Sequence, residues 1–222
     1  MSLETVQIIF QYVALVFAIS VHEAAHAWTA HLSGDPTAKL LGRITLNPIK
    51  HMDPIGTVVL PLVALFGHIP MIGWGKPTPV DPRHFKSEVR DDILVSLAGP
   101  VSNLLVAGAS VAALAVIAFF VPTGRMIVHG FVGNMSSPVV PVVEMLYQLL
   151  LINVLLAAFN VIPIPPLDGS HVLRHFLPDN MRRIYDTVGM FGLIILFVAG
   201  GPVIEALMRP VLAFFESIIA RL

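Results

Sequence analysis

The sequence has no cysteine and few charged residues. Of its 222 residues, 12% are Asp, Glu, Lys or Arg, whereas 56% are hydrophobic. The absence of cysteine excludes disulfides and thiolate metal ligands, so any metal ion would be held by nitrogen and oxygen. A soluble domain carries about twice this charged fraction, because its surface must be solvated. The composition therefore excludes an ordinary soluble protein and indicates a polytopic membrane protein.

The charge balance also bears on partners. The formal net charge is −1, which gives no reason to expect a nucleic acid partner. The partner that the composition implies is the lipid bilayer. With no internal repeat along the chain, we expect one domain over residues 1–222.

Five or six apolar stretches are separated by short polar loops. They cover residues 5–33, 53–75, 93–121, 145–167, 187–204 and 210–220. The first contains no Lys or Arg and a single acidic residue, Glu23, and it is long enough to cross a bilayer. Gly200-Gly201-Pro202 divides the last two, which favours a tight helical hairpin or two short spans. The pattern predicts an all-α polytopic membrane protein with about five to six transmembrane helices.

The stretch over residues 53–75 differs from the others. Prolines and glycines interrupt it at six positions before its end at Gly75, and basic residues lie on both sides, at Lys50 and Lys76. Loops rich in Lys and Arg stay in the cytoplasm, so a complete crossing would put one basic flank on the wrong side. We therefore expect a re-entrant segment, non-helical or part-helical and partly β, whose backbone is satisfied by protein or by a water-filled cavity. The same rule places the loop around Arg125 outside, and the membrane that we expect is the cell membrane.

A metal-binding pattern lies inside the first apolar stretch. His22-Glu23-Ala24-Ala25-His26 has the form H-E-x-x-H. Two histidines four residues apart on a helix reach the same ion, and the intervening glutamate can act on a water molecule without binding the metal. Ionisable side chains are costly at membrane depth, so this pattern indicates a functional site. It is the arrangement of a hydrolase in which the glutamate is general base and then general acid.

A catalytic zinc ion requires a third protein ligand. Asp168 is the only acidic residue between Glu144 and Asp179. If the segment over residues 53–75 is re-entrant, the following spans bring Asp168 back to the membrane face of the two histidines. An aspartate before a glycine is also a common turn residue. The topology alone therefore leaves Asp168 either a ligand or an ordinary turn residue.

The two signatures together resemble those of the site-2 protease family of intramembrane zinc metalloproteases. The H-E-x-x-H motif is followed by Asn160-Val161-Ile162-Pro163-Ile164-Pro165-Pro166-Leu167-Asp168-Gly169, which has the form N-x-x-P-x-x-P-L-D-G. Further segments are similar to the compact bacterial and archaeal branch, which lacks PDZ and CBS modules: residues 34–38, 42–48, 51–57, 73–77 and 97–103. The resemblance covers nearly the whole chain.

The resemblance implies a zinc ion held by His22, His26 and Asp168, with Glu23 as general base and acid. It also implies that Asn160 steadies the oxyanion or the scissile carbonyl, although a helix-packing hydrogen bond is the alternative. The implied activity is hydrolysis of single-pass membrane proteins within or near the bilayer, with the site toward the cytoplasm. Residues 73–80 would then offer an edge on which an extended substrate pairs, or they form a structural loop.

Two other classes of protein remain open at the level of the sequence. A transporter would also place ionisable residues in broken spans, but it usually shows two related halves. A non-catalytic zinc-binding membrane scaffold would lack a ligand or the base. The remaining histidines are expected to have ordinary roles, His171 and His175 at an interface and the others in hydrogen bonds or on the surface: His31, His51, His68, His84 and His129.

Overall fold

The computed structural model describes residues 3–67, 73–130 and 137–222. These residues are mostly helical. The helices are α1 (Leu3–Ser33), α2 (Thr37–Leu40), α3 (Leu60–Gly67), α4 (Glu88–Phe120), α5 (Gly124–Val128), α6 (Val139–Val161), α7 (Asp168–Arg174), α8 (Asp179–Ala199) and α9 (Gly201–Ile219). Short 3₁₀ turns lie at Pro48–Lys50 and Pro82–His84, and a π-helical segment lies at Pro54–Val59.

Three of the described helices, α1, α4 and α6, are long and apolar enough to cross a membrane. The prediction of an all-α membrane protein therefore agrees with the structure, but the predicted number of five to six spans is not confirmed. The last two apolar stretches form α8 and α9, which meet at Gly200 as a helical hairpin. Each of these helices carries several charged residues, which shortens its uninterrupted apolar length.

The prediction of a partly β segment over residues 53–75 is not confirmed either. Residues 54–67 are helical, and residues 68–72 lie outside the described part. Pro54 occupies the first turn, where a missing N–H costs no hydrogen bond. The Asp53 carboxylate caps this turn by accepting hydrogen bonds from the N–H groups of Ile55 and Gly56, at 2.9 and 2.7 Å. Among the described residues, β pairing is limited to one antiparallel bridge, between Met52 and Gly75.

Helices α1, α4 and α6 pack against one another and form the centre of the fold. Small side chains let α1 approach its neighbours closely, which is how helices associate in lipid. Four alanines of α1 are fully buried: Ala14, Ala18, Ala27 and Ala30. On α4 and α6, an apolar cluster including Leu114 and Leu150 packs against Phe215 of α9. At the end of these three helices that is near the loops expected to be cytoplasmic, the helices enclose polar side chains.

Candidate metal centre

Helix α1 presents both histidines of the H-E-x-x-H motif to α4. One helical turn separates them, so their imidazole rings lie on one face of the helix. Each residue is buried, with 7% of its surface exposed. The Nε2 atoms of His22 and His26 are 3.0 Å apart. The two rings therefore direct their Nε2 atoms at a common point.

Asp168 reaches the same point from the other side of the fold. It is the first residue of α7, which follows the proline-rich turn after α6. Its Oδ2 atom lies 3.1 Å from Nε2 of His22 and 3.4 Å from Nε2 of His26. Gly169 permits this approach, since a Cβ there would lie 2.8 Å from the carbonyl oxygen of Ile162. The role of this glycine is therefore the close packing of α7 against the end of α6.

The hydrogen bonds on the far side of the rings decide which nitrogen carries the proton. Nδ1 of His26 lies 2.7 Å from the carbonyl oxygen of Val95, which can only accept. Nδ1 of His22 lies 2.7 Å from Oδ1 of Asn103. The Asn103 Nδ2 group donates to the carbonyl oxygen of Ala18 at 3.2 Å, so its Oδ1 atom must face the histidine. Both histidines therefore carry a proton on Nδ1, which leaves Nε2 as the nitrogen that can bind a metal ion when the ring is neutral.

Three atoms that can donate an electron pair to a metal ion thus converge. The Oδ2 atom of Asp168 is buried and receives no hydrogen bond, and the three ligand atoms lie within 4.8 Å of one another. An uncompensated buried carboxylate beside two lone pairs is unfavourable unless a cation joins them. Tetrahedral ligands about 2.0–2.2 Å from a zinc ion are roughly 3.3–3.6 Å apart. The residues fit a zinc ion.

Gly99 makes room for the two rings on the α4 side. A Cβ at this position would lie 2.6 Å from Nε2 of His22 and would also overlap His26. Gly99 is buried within α4, one helical turn before Asn103. The same face of α4 therefore supplies the space for the histidines and, at Val95 and Asn103, the acceptors that orient them.

Glu23 lies on the neighbouring face of α1 and contacts the loop that follows the undescribed residues 68–72. Its Oε2 atom accepts hydrogen bonds from the backbone N–H of Thr78 at 2.8 Å and from the Thr78 hydroxyl at 2.7 Å. The Arg43 guanidinium lies 3.9 Å from the same oxygen. Burial lowers the pKa of Arg43 below its usual range, and the nearby Glu23 opposes that shift. The glutamate is thus held in place while the two neighbouring histidines face the metal centre.

Asn160 is placed differently from the other predicted site residues. It lies in the last turn of α6, and its Nδ2 group donates to the carbonyl oxygen of Leu156 at 3.0 Å within the same helix. In the part of the chain that the structure describes, its amide forms no hydrogen bond with His22, His26 or Asp168. Its catalytic role stays a prediction.

Several residues of the site were not predicted from the sequence. Asn103 carries a detectable signal, because a polar side chain in the charge-free stretch over residues 93–121 is costly in lipid. Thr78 and the carbonyl group of Val95 have no comparable signal, since a threonine in a proline-rich loop and a backbone oxygen are unremarkable in a sequence. Gly99 lies in the segment over residues 97–103, which resembles the family, but no role was predicted for it.

The histidines outside the motif have mainly structural roles where they are described. His51 is fully buried and its Nε2 atom lies 2.8 Å from the carbonyl oxygen of Thr45. His175 pairs with Asp92 of α4, with Nε2 and Oδ2 2.7 Å apart. This pair links the end of α7 to α4, and the interfacial role expected for His175 stays a prediction. His68 lies outside the described residues.

The comparisons with known proteins agree with this geometry. The sequence model of Peptidase family M50 matches residues 10–199. The chain is 37% identical over 187 residues to "Putative zinc metalloprotease YwhC" of Bacillus subtilis (strain 168), which covers 84% of this chain and 77% of that protein. No solved structure is a significant match.

Two mycobacterial relatives are more distant. "Putative zinc metalloprotease Rip2" of Mycolicibacterium smegmatis (strain ATCC 700084 / mc(2)155) is 29% identical over 187 residues, covering 82% of this chain and 63% of that protein. The protein of the same name from Mycobacterium tuberculosis (strain ATCC 25618 / H37Rv) is 31% identical over 183 residues, covering 82% and 62%. The extent of the family match leads to one conclusion: this chain belongs to Peptidase family M50, the site-2 protease family.

Proposed function

We propose that this protein is a zinc-dependent intramembrane endopeptidase that hydrolyses peptide bonds of single-pass membrane proteins within or near the bilayer. The observation that carries the proposal is the convergence of His22, His26 and Asp168 on one point, with Glu23 beside them. The relatives named as zinc metalloproteases support zinc as the metal.

The proposed roles follow from the protonation and position of each side chain. Two neutral imidazoles and one carboxylate would hold the ion, which, when bound, would polarise the scissile carbonyl and favour attack by water. Glu23 would accept the proton of the attacking water and then deliver it to the leaving amine. The Asn160 amide would turn from its own helix toward the substrate and donate a hydrogen bond to the developing oxyanion.

The site lies among three helices that are each long and apolar enough to cross a membrane. His22 and His26 belong to the second half of α1, before the loop that carries Lys39 and Lys50. Basic loops favour the cytoplasmic side. These observations support a multi-pass protein of the cell membrane whose site opens toward the cytoplasm.

An intramembrane protease must bind its substrate as an extended chain, because a helix hides its peptide bonds. Residues 73–80 support such binding. Gly75 forms an antiparallel bridge with Met52, and the N–H of Lys76 donates to the carbonyl oxygen of His51 at 2.8 Å. In this register the N–H and C=O groups of Gly75 point away from Met52. A substrate strand would pair on that outer side, close to Glu23, whose Cγ would lie 3.5 Å from a Cβ at Gly75.

The test uses purified protein in lipid nanodiscs loaded with zinc. The probe is a fluorogenic peptide with one apolar span of about 20 residues that contains an Asn-Pro helix-breaking step. We expect the wild-type protein to cleave it and the Glu23→Gln variant to retain zinc without cleaving. A Glu23→Gln protein, expressed in cells as a substrate trap, should recover single-pass membrane proteins.

Other outcomes would identify the alternative classes. A zinc-loaded wild-type protein that cleaves neither the peptide nor any trapped protein would indicate a non-catalytic zinc-binding scaffold. Transport of a solute without cleavage would indicate a transporter. Full activity in Glu23→Gln would exclude Glu23 as the general base.

A further inference from the structure

The loop beside the metal centre contains an unusual arrangement of backbone donors. Thr78 lies between Pro77 and Pro79, neither of which has an N–H group. The N–H of Thr78 is therefore the single backbone donor between Lys76 and Val80. That donor is directed at Oε2 of Glu23, at 2.8 Å.

The side chain of Thr78 reinforces this contact. Its hydroxyl lies 2.7 Å from the same Oε2 atom and 3.0 Å from the backbone carbonyl oxygen of Glu23. Both donors of Thr78 therefore meet the glutamate at one carboxylate oxygen.

The residues around Thr78 form hydrogen bonds with the backbone of its loop. Arg43 donates hydrogen bonds to the carbonyl oxygens of Lys50 and Lys76, and its guanidinium stays 3.9 Å from Glu23. The N–H of Lys76 is fixed to His51. The two prolines restrict the backbone on either side of Thr78, because each fixes its own φ and disfavours helical geometry in the residue before it.

We propose that Thr78 is a positioning residue for Glu23. The Pro77-Thr78-Pro79 segment orients the general base by binding one carboxylate oxygen through two hydrogen bonds, and so fixes the side-chain rotamer in which Glu23 acts. This inference rests on the proposed protease activity for its kinetic consequence, but the contact itself is independent of that activity. It also couples the base to the loop on which the substrate would pair.

The contact is tested without any substrate by amide hydrogen exchange. Thr78 can be read individually, because its neighbours on both sides are prolines. In the zinc-loaded protein in nanodiscs, Glu23→Ala should make the Thr78 amide exchange at least tenfold faster, while the Lys76 amide, bound to His51, stays unchanged. Equal exchange of Thr78 in both proteins would overturn the proposal, as would faster exchange at both positions, which would indicate general loosening of the loop.

The consequence for catalysis is tested with the fluorogenic single-span peptide. Thr78→Val removes the hydroxyl at nearly constant shape and should lower kcat by about 10-fold to 100-fold, with KM and zinc content unchanged. Thr78→Ser should restore kcat to within about threefold, because it restores the hydroxyl donor. Thr187→Val is the matched control, since the Thr187 hydroxyl donates to the carbonyl of Arg183 on its own helix.

The outcomes separate this inference from the proposed function. If Thr78→Val keeps full kcat, or loses kcat together with zinc and thermal stability, or is not rescued by serine, Thr78 does not position the base. If the wild-type protein itself cleaves nothing, the proposed protease function fails. The exchange experiment then still decides whether Thr78 holds Glu23.

Discussion

The side-chain oxygen of Asn103 lies 2.7 Å from Nδ1 of His22, and this contact determines which nitrogen of His22 faces the metal centre. Asn103 is fully buried and is itself held by the Asn153 side chain, whose oxygen lies 2.8 Å from its Nδ2. Two helices, α4 and α6, thus support one predicted metal ligand of α1 through a chain of amide hydrogen bonds.

Replacing Asn103 should therefore weaken metal binding. We expect Asn103→Leu to lower zinc affinity by about 10-fold to 100-fold, because the Nδ1–H of His22 loses its acceptor and the ring loses its orientation. The measurement is competition with a chelating indicator dye. Gln148→Ala is the matched control, since its amide contacts Glu144 within α6; an equal loss in both variants would contradict the role of Asn103.

A methyl group at Gly99 should exclude the metal by steric overlap with both imidazoles. Gly99→Ala would place a Cβ 2.6 Å from Nε2 of His22, so the rings must move apart. Gly108→Ala lies on the same helix with no atom within 4 Å of its Cβ and provides the control. We expect zinc content near zero for Gly99→Ala and wild-type content for Gly108→Ala, measured by elemental analysis. Full zinc occupancy in Gly99→Ala would show that the packing against α4 is not required.

The hydrogen bond between Asp92 and His175 should help to position Asp168, because it links the end of α7 to α4. Its closest atoms are 2.7 Å apart and both side chains are largely buried. We expect Asp92→Asn to lower zinc affinity by about tenfold. The control is Asp186→Asn, which removes the exposed ion pair between Asp186 of α8 and Arg174 of α7. This change should have little effect on zinc affinity. Similar zinc affinities for the two variants would show that Asp92 does not help to position Asp168.

Stability should depend on pH through Asp35, which lies in the loop after α1. Burial raises the pKa of its carboxyl, but hydrogen bonds from Thr37 and from the N–H of Asp81 outweigh burial, and the pKa is below its usual value. A lowered folded-state pKa contributes stability that is present above the unfolded value of about 3.9 and is lost as pH falls below it.

Asp35→Asn should consequently be less stable than the wild-type protein at neutral pH, with a difference that shrinks as pH falls below about 4. Thermal unfolding in detergent between pH 3 and 7 measures this. Asp179→Asn is the control, because the Asp179 side chain is 93% exposed. A difference between Asp35→Asn and wild type that stayed constant with pH would contradict the assignment.

The sequence predicted the parts of this structure that depend on residue type and spacing. Helical spacing is sufficient to place His22 and His26 on one face, and long apolar runs are sufficient to identify α1, α4 and α6. The family signature in residues 160–169 pointed to Asp168, which local pattern alone left open between a ligand and a turn residue.

The remaining features depend on tertiary contacts. The segment over residues 53–75 was expected to be re-entrant and partly β, because prolines and glycines interrupt it and basic residues flank it. Pro54, however, lies in the first turn of a helix, where it is tolerated. The charged residues of α8 and α9 interrupt their apolar stretches, so these two helices are not among the described helices apolar enough to cross a membrane. Thr78 contacts Glu23 only because its loop returns to α1. No local sequence pattern predicts this tertiary contact.

The most direct test of the central claim is zinc-edge X-ray absorption on the purified protein, combined with zinc content per chain. The wild-type and Glu23→Gln proteins should each hold one zinc ion, with nitrogen and oxygen ligands about 2.0–2.2 Å away. Asp168→Ala should lose the ion. Wild-type zinc content and coordination in Asp168→Ala would contradict the claim that this aspartate joins the two histidines at one metal.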